Sequence, residues 1–382
     1  HSAGPALCRG RTAEFGETTT RDGNLGAVET SDLTHAVRLG IHSEVSTSLA
    51  RYGDRELGDL VATAQPLGTG IGGRSALLDV AGTPVFVKRV PLTDLERLPE
   101  HTESTANLFG VPSFCQYGVG GGPGFGAWRE LSAHTMTTNW VLGGRFGGFP
   151  LMYHWRALPD SAQPLPDELA DVERAVAYWA GAEPVRRRIE ALRDATASLT
   201  LFMEYIPHNL HRWLGKRLQE EPGDPAAYSL VEEGLEAGVS FMNARGLLHF
   251  DAHFENILTD GRRLYFTDYG LSLSSRFQLS EEEAGFFARH ANYDRSYTQS
   301  YLVNWLITAL YGYGRDEREE MLHECAEGRR PEGIPQTAAA IITRHAPLAA
   351  VMTDFIRRLR QETRQTPYPA EKLLRLGNSW RP

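Results

Sequence analysis

The stretch Leu247-Leu248-His249-Phe250-Asp251-Ala252-His253-Phe254-Glu255-Asn256-Ile257-Leu258, followed by Phe266-Thr267-Asp268-Tyr269-Gly270, decides the reading of this 382-residue chain. It holds the pattern H-x-D-x-H-x-x-N between apolar, strand-like flanks. Asp268, twelve residues beyond Asn256, then stands before a tyrosine and a glycine. An Asp and an Asn five residues apart in a loop, with an Asp on the next hairpin, can converge on one magnesium-nucleotide. Asp251 then faces a substrate hydroxyl, while Asn256 and Asp268 hold the metal. The spacing of His249 and His253, i and i+4, also admits a zinc pair. The glutamate that H-E-x-x-H places directly after its first histidine is missing, which sets that reading aside.

Working outward, phosphoryl transfer requires backbone donors over the phosphates and a cation beside them. Gly68-x-Gly70-x-x-Gly73 supplies a glycine-rich turn whose N–H groups can approach phosphate oxygens closely. Two short apolar runs follow, Ala76 to Val80 and Pro84 to Val90, separated by Ala81-Gly82-Thr83, and they predict a β-hairpin. A dinucleotide-binding glycine motif would open directly into a helix, so the hairpin type is favoured. Lys88 lies within the second run, fifteen residues after Gly73. A lysine in a strand is most often an edge residue reaching water, but its distance from the glycines makes it the candidate phosphate cation.

Further along, Ala127 to about Leu142 predicts a helix and Phe149 to Trp155 a strand. Pro159 to Ala197 is polar, Pro-punctuated and largely helical, and Leu199 to Ile206 predicts a buried strand ended by Pro207. Later segments are helical, except for two short strands around a turn at Asp260-Gly261. Ser280-Glu281-Glu282-Glu283 carries a capping-box signature for a helix start. The fold class is therefore α+β: an antiparallel-sheet first lobe over residues 61–206, with insertions, and a helical second lobe over 207–382. Residues 1–60 read as a loosely attached, partly irregular segment with one helix around Asp32 to Leu39.

The segment Gly246 to Leu273 resembles the catalytic and metal-binding loops of the protein-kinase-like superfamily. Phe250 replaces the arginine of H-R-D and Tyr269 the phenylalanine of D-F-G. It is closer still to the H-G-D-x-H-x-x-N of aminoglycoside and choline kinases, because His253 stands where protein kinases carry lysine. Val85-Phe86-Val87-Lys88 resembles the V-A-I-K strand, and Leu201 to Leu210 looks like a kinase hinge. The resemblance spans roughly Leu67 to Ser275 and implies the two-lobed kinase fold, ATP and Mg2+. It implies catalytic roles for Asp251 and His253, a hinge in which Met203 guards the adenine pocket, and backbone contacts to adenine from Glu204 and Ile206. It also implies a helix glutamate paired with Lys88. Glu130 is preferred for its place on the helix before the strand; Glu103 has the more usual spacing but polar, poorly periodic surroundings.

No A-P-E motif closes the short segment Leu271 to Leu279, and the missing arginine beside Asp251 removes the usual partner of a regulatory phosphate. Both features point to a small-molecule hydroxyl as acceptor, such as an aminoglycoside-like antibiotic or metabolite. A serine/threonine protein or peptide kinase is the alternative, and a nucleotide-binding pseudokinase scaffold a third. Net charge is −9, so no general basic face for nucleic acid is expected. The run Glu281 to Glu283 reads first as a favourable charge at a helix N-terminus, and second as an acidic rim for a polycation. Cys8, Cys115 and Cys325 lie far apart in no metal-binding spacing, as expected of reduced thiols in a cytoplasmic protein. No apolar run reaches membrane-spanning length.

Overall fold

The hairpin around Ala81-Gly82 sets the geometry of the sheet. Both residues take left-handed backbone angles, φ 54° and 82°, the conformation that joins twisted antiparallel strands through a two-residue loop. In the computed structural model, which describes residues 35–70 and 72–378, strands β1 (Gln65–Gly70), β2 (Gly73–Val80) and β3 (Thr83–Leu92) run in sequence. β4 (Met152–Pro159) and β5 (Ala197–Glu204) complete an antiparallel sheet of order β1-β2-β3-β5-β4. The protein is thus α+β, with this sheet followed by a largely helical part.

Alternation within β3 decides which side each residue serves. Val85 and Val87 pack with Val45, Leu49, Leu57 and Val61 of α1 (His35–Ala50) and α2 (Asp54–Ala62). Val90 and Leu92 face the other way, towards Trp128 and Leu131. These belong to α4 (Ala127–Leu142), which follows the single-turn α3 (Asp94–Arg97). Lys88 shares the parity of Val90 and Leu92 and so points towards α4. All eight residues of β5 are buried, which accounts for its continuous apolar run in sequence.

Residues 35–62 are more firmly held than their polar composition suggests. Besides the four apolar contacts, Arg38 is 1% exposed and makes a bidentate ion pair with Glu204 at 2.9 and 2.7 Å. Residues 1–34, including Cys8 and the first residues of the helix expected from Asp32, lie outside the described residues. Cys115 and Cys325 are free and buried. The strand expected at Phe149 begins three residues later. Arg38 takes the carbonyls of Gly147 and Phe149 at 2.9 and 2.6 Å, so that stretch is held by a side chain before strand pairing starts.

The polar insertion folds as α5 (Asp167–Ala170), α6 (Val172–Tyr178) and α7 (Glu183–Arg193). The helical part comprises α8 (Leu210–Glu220), α9 (Pro225–Asn243), α10 (Glu281–Arg289), α11 (Tyr293–Tyr311), α12 (Arg315–Ala326), α13 (Gln336–Gln361) and α14 (Ala370–Asn378). Short strands β6 (His208–Asn209), β7 (Leu247–Leu248), β8 (Ile257–Thr259), β9 (Leu264–Phe266) and β10 (Leu273–Ser274) frame the loops between them. β8 and β9 form the expected hairpin, and β10 pairs with β7. Ser280 caps α10 through the expected capping box. The sequence reading places residues 108–125 and 165–193 in the first lobe. Instead, Phe109, Tyr117, Phe125, Trp179 and Ile189 share a core with Phe250, Phe286, Tyr293 and Phe355. Their aromatic and aliphatic side chains find apolar partners there, because the sheet's two faces are already covered. Among the described residues, no helix is long and apolar enough to cross a membrane.

Candidate active site

β3 and α4 bring Lys88 and Glu130 together. The Lys88 ammonium donates to Glu130 Oε1 at 2.6 Å and to Asp268 Oδ1 at 2.9 Å, from a side chain only 9% exposed. It is Glu130, not Glu103, that stands against the lysine; Glu103 is exposed in a turn. Burial alone would lower the Lys88 pKa, but the charges of Asp268 and Glu130 outweigh it and hold the pKa above the usual lysine value. The same ion pair holds Asp268 down at about 2 against its own burial. Gly70 and Gly73 are paired across the end of the β1–β2 hairpin, with Gly68 opposite Ser75. The turn comes down on the lysine, so that a Cβ on Gly72 would stand 3.1 Å from its Nζ and 3.7 Å from Asp268 Oδ2. Only a glycine leaves room for another group there.

The loop carrying Asp251 is built with strain and held by a carboxylate. Phe250 has φ 62°, a left-handed angle that a bulky residue rarely adopts, and Asp268 has φ 63°. Asp294, fully buried near the start of α11, accepts from the N–H groups of His249 and Phe250 at 2.7 and 2.8 Å and so fixes the strained turn. Its burial raises its pKa to about 6, against the pull of those two N–H donors. Phe250 then stacks on Tyr293 at 4.7 Å. Nothing in the local sequence pattern marks Asp294. Its role arises from a contact spanning more than forty residues.

Asn256 donates to the Asp251 carbonyl and to Asp251 Oδ2, both at 3.0 Å. Its own Oδ1 accepts no hydrogen bond from the described residues, and Asp268 Oδ2 is likewise unengaged, so both oxygens could hold a divalent cation. Burial and the Asp268 charge raise the Asp251 pKa, although His253 and Asn256 pull it down. His253 lies 3.7 Å from Asp251 Oδ2 and 2.9 Å from Glu255 Oε2. Burial would lower its pKa, but those two carboxylates raise it to about 9, so it is a cation at neutral pH. Glu255 is held at about 2, burial being outweighed by its bond to His253 and the nearby His211.

His249 is different. Its Nδ1 accepts from the Asp251 N–H at 3.3 Å while its Nε2 meets the Thr267 carbonyl at 2.9 Å, and burial lowers its pKa to about 4. It is a neutral spacer between the two loops, committed away from His253. Among the described residues, no group of three His, Cys, Asp or Glu side chains has metal-holding geometry.

Near the end of β5, between β3 and β4, Met203 is 1% exposed and packs with Met152, Leu201 and Phe86. The Glu204 N–H is committed to the Leu151 carbonyl at 2.7 Å, and its carboxylate to Arg38. The Ile206 N–H has no hydrogen-bond partner among the described residues, leaving a donor at the end of β5. Two residues that pattern reading passed over complete the site. Tyr301 donates to Glu255 Oε2 at 3.1 Å, and His211 lies 3.6 Å from Glu255 Oε1. Chemically, the site can hold a cation, present an ammonium to an anion and take a proton at Asp251. No model of a known protein family matches the chain, and no curated protein matches it.

Proposed function

We propose that this chain is a kinase-like phosphotransferase that moves the terminal phosphoryl group of magnesium-ATP to the hydroxyl of a small molecule. One observation carries the reading: Lys88 bridges Glu130 and Asp268 directly beneath the glycine turn, while Asn256 orients Asp251 beside them. Phosphoryl transfer depends mainly on positioning and electrostatic stabilisation, and these are the parts it uses. The two-lobed kinase reading of the fold rests on the same arrangement, together with the strand order of the sheet.

In this reading Asn256 and Asp268 would hold magnesium, which would supply charge neutralisation at the phosphates. Lys88 supplies a fixed cation to the phosphates, kept in place by Glu130. Ile206 offers its free N–H to the adenine edge, with Met203 behind it. Asp251 accepts a hydrogen bond from the acceptor hydroxyl and takes its proton as the oxygen attacks, its raised pKa suiting it to that role. His253 stays protonated and holds Asp251 and Glu255 apart.

The segment after Gly270 favours a small acceptor. Gln116 donates to the Leu271 carbonyl, and a Cβ on Gly118 would collide with the Leu271 side chain. β10 then pairs with β7, so this stretch is tied into the fold and offers no free-standing platform on which a peptide could dock. The test is an ATP-consumption screen over hydroxylated metabolites, antibiotics and generic protein substrates, with Asp251→Asn as control. Turnover on a small alcohol that Asp251→Asn abolishes is expected. Turnover confined to a protein serine or threonine would assign the wrong acceptor, and consumption indifferent to Asp251→Asn would end the proposal.

A further inference from the structure

The helices beyond Asp251 carry polar side chains that the phosphoryl-transfer chemistry leaves unused. On α11, Tyr297, Tyr301, Asn304 and Thr308 fall at i, i+4, i+7 and i+11, on one face, away from the buried Leu302, Val303, Leu306 and Ile307. On α13, Thr353, Arg357 and Arg360 fall at i, i+4 and i+7, away from the buried Met352, Phe355 and Leu359. The two faces meet where Asn304 Nδ2 donates to Thr353 Oγ1 at 3.0 Å. Arg318 of α12 reaches Thr308 Oγ1 at 3.5 Å. One end of this surface is the Asp251 loop itself, through the Tyr301–Glu255 bond and the stacking of Tyr301 on His253 at 6.2 Å.

Three atoms on this surface, Asn304 Oδ1, Arg318 Nε and Arg360 Nε, are shut off from solvent yet have no hydrogen-bond partner among the described residues. A shielded, unpartnered donor ordinarily costs about 1–3 kcal/mol, so such groups point to a missing ligand. The nearby carboxylates do not pair with these guanidinium groups. Glu319 is bonded to Arg315 at 3.0 Å, and Asp354 is shared by Arg357 and His323. Burial lowers the Arg318 pKa and, although Glu319 opposes this, Arg315 and Arg360 add to it, as expected of a cation crowded by other cations. A surface of this kind repels an amino sugar and receives an anion.

We propose that the acceptor is a small hydroxylated anion whose carboxylate or phosphate is bound by Arg318 and Arg360. Its other polar end donates to Asn304 Oδ1, and its hydroxyl passes Tyr301 to reach Asp251. The last step rests on the phosphotransferase reading; the anion site does not. This reverses the polycation alternative raised by Glu281 to Glu283, since Glu283 is already engaged by Arg129 at 2.8 Å.

The experiment is calorimetric titration of the full chain with inorganic phosphate and, separately, with acetate. It compares wild type with Lys88→Met, Arg318→Gln, Arg360→Gln and the exposed control Arg330→Gln. At least one ion should bind wild type, Lys88→Met and Arg330→Gln alike. Each of the other two substitutions should weaken it about tenfold, the loss expected for one charge-assisted contact. Arg318→Lys, which keeps the charge but loses the fork, should fall between and serves if the glutamine variant does not fold. Preference for phosphate or acetate tells which anion the site takes. Failure of both ions to bind, binding indifferent to Arg318 and Arg360, or binding lost with Lys88→Met would overturn the anion site. If the ions bind as expected but no hydroxylated anion is phosphorylated, the assignment of this anion as acceptor fails and the anion site stands; the phosphotransferase reading falls only if no hydroxyl compound is turned over in an Asp251-dependent way.

Discussion

Replacing Arg38 by methionine tests whether residues 35–62 are part of the folded body. The guanidinium makes four hydrogen bonds, two to Glu204 and one each to the carbonyls of Gly147 and Phe149. Methionine fills much of the same volume, so the change removes charge and donors more than packing. Glu204 then keeps its bond from the Leu151 N–H at 3.0 Å but faces no cation, with a side chain only 8% exposed. Breaking a buried pair from one side costs about 3–5 kcal/mol, because a charge is left uncompensated. Arg38→Met should therefore lose about that much stability in urea unfolding followed by circular dichroism and tryptophan fluorescence. The double variant Arg38→Met/Glu204→Gln should be less destabilised than the sum of the single variants, since it buries no orphan charge. A loss below about 1 kcal/mol for Arg38→Met would refute the reasoning, placing the pair at the level of exposed ion pairs.

Three further outcomes are expected. Asp251→Asn should lower turnover by roughly 10²–10⁴-fold, the range for losing a positioned general base, while nucleotide affinity measured by calorimetry changes little. Gly238→Ala should destabilise the fold by about 1–3 kcal/mol through overpacking, because its Cβ would collide with the Phe266 ring; an unchanged melting temperature would contradict the close packing of α9 on β9. His253 has a folded pKa raised from 6.5 to about 9, so its contribution to stability is complete below pH 6.5 and lost as pH rises through 9. Wild type should lose up to about 3 kcal/mol across that window, and His253→Gln should show a smaller loss in parallel urea titrations.

The β2–β3 hairpin, α4, the β8–β9 turn and the α10 cap were legible because each is specified locally, whereas Gly68 to Gly70, read as part of a glycine-rich turn, lie in strand β1. Glycine placement, period-two alternation and a capping box all act within a few residues. The contact between Asp251 and Asn256 was legible for a related reason: both lie in one short loop. What escaped is specified over distance. Arg38 reads as a charge in a polar segment until Glu204, which lies 166 positions along the chain, is set against it. Asp294 reads as a residue in a helix's first turn until the strained backbone at Phe250 presents two N–H groups to it. The stretch Pro159 to Ala197 reads as polar because its charged residues outnumber the aromatic Tyr178 and Trp179.

Those anchors change how the Asp251 loop is kept in order. A backbone at φ 62° needs its surroundings to over-determine it, and Phe250 brings no charge with which to be held. Order comes from the buried Asp294, which accepts from the His249 and Phe250 N–H groups, together with packing. Tyr117, delivered by the insertion, lies 6.4 Å from the Phe250 ring and bonds His290 through its hydroxyl at 2.6 Å. Phe286 and Tyr293 stack on Phe250 from the helical side. The neighbouring Gln116 engages the Leu271 carbonyl, so the same insertion fixes the segment after Gly270. Apolar contacts and neutral hydrogen bonds of this kind respond little to ionic strength. The loop is therefore held by the buried Asp294 and by this packing together.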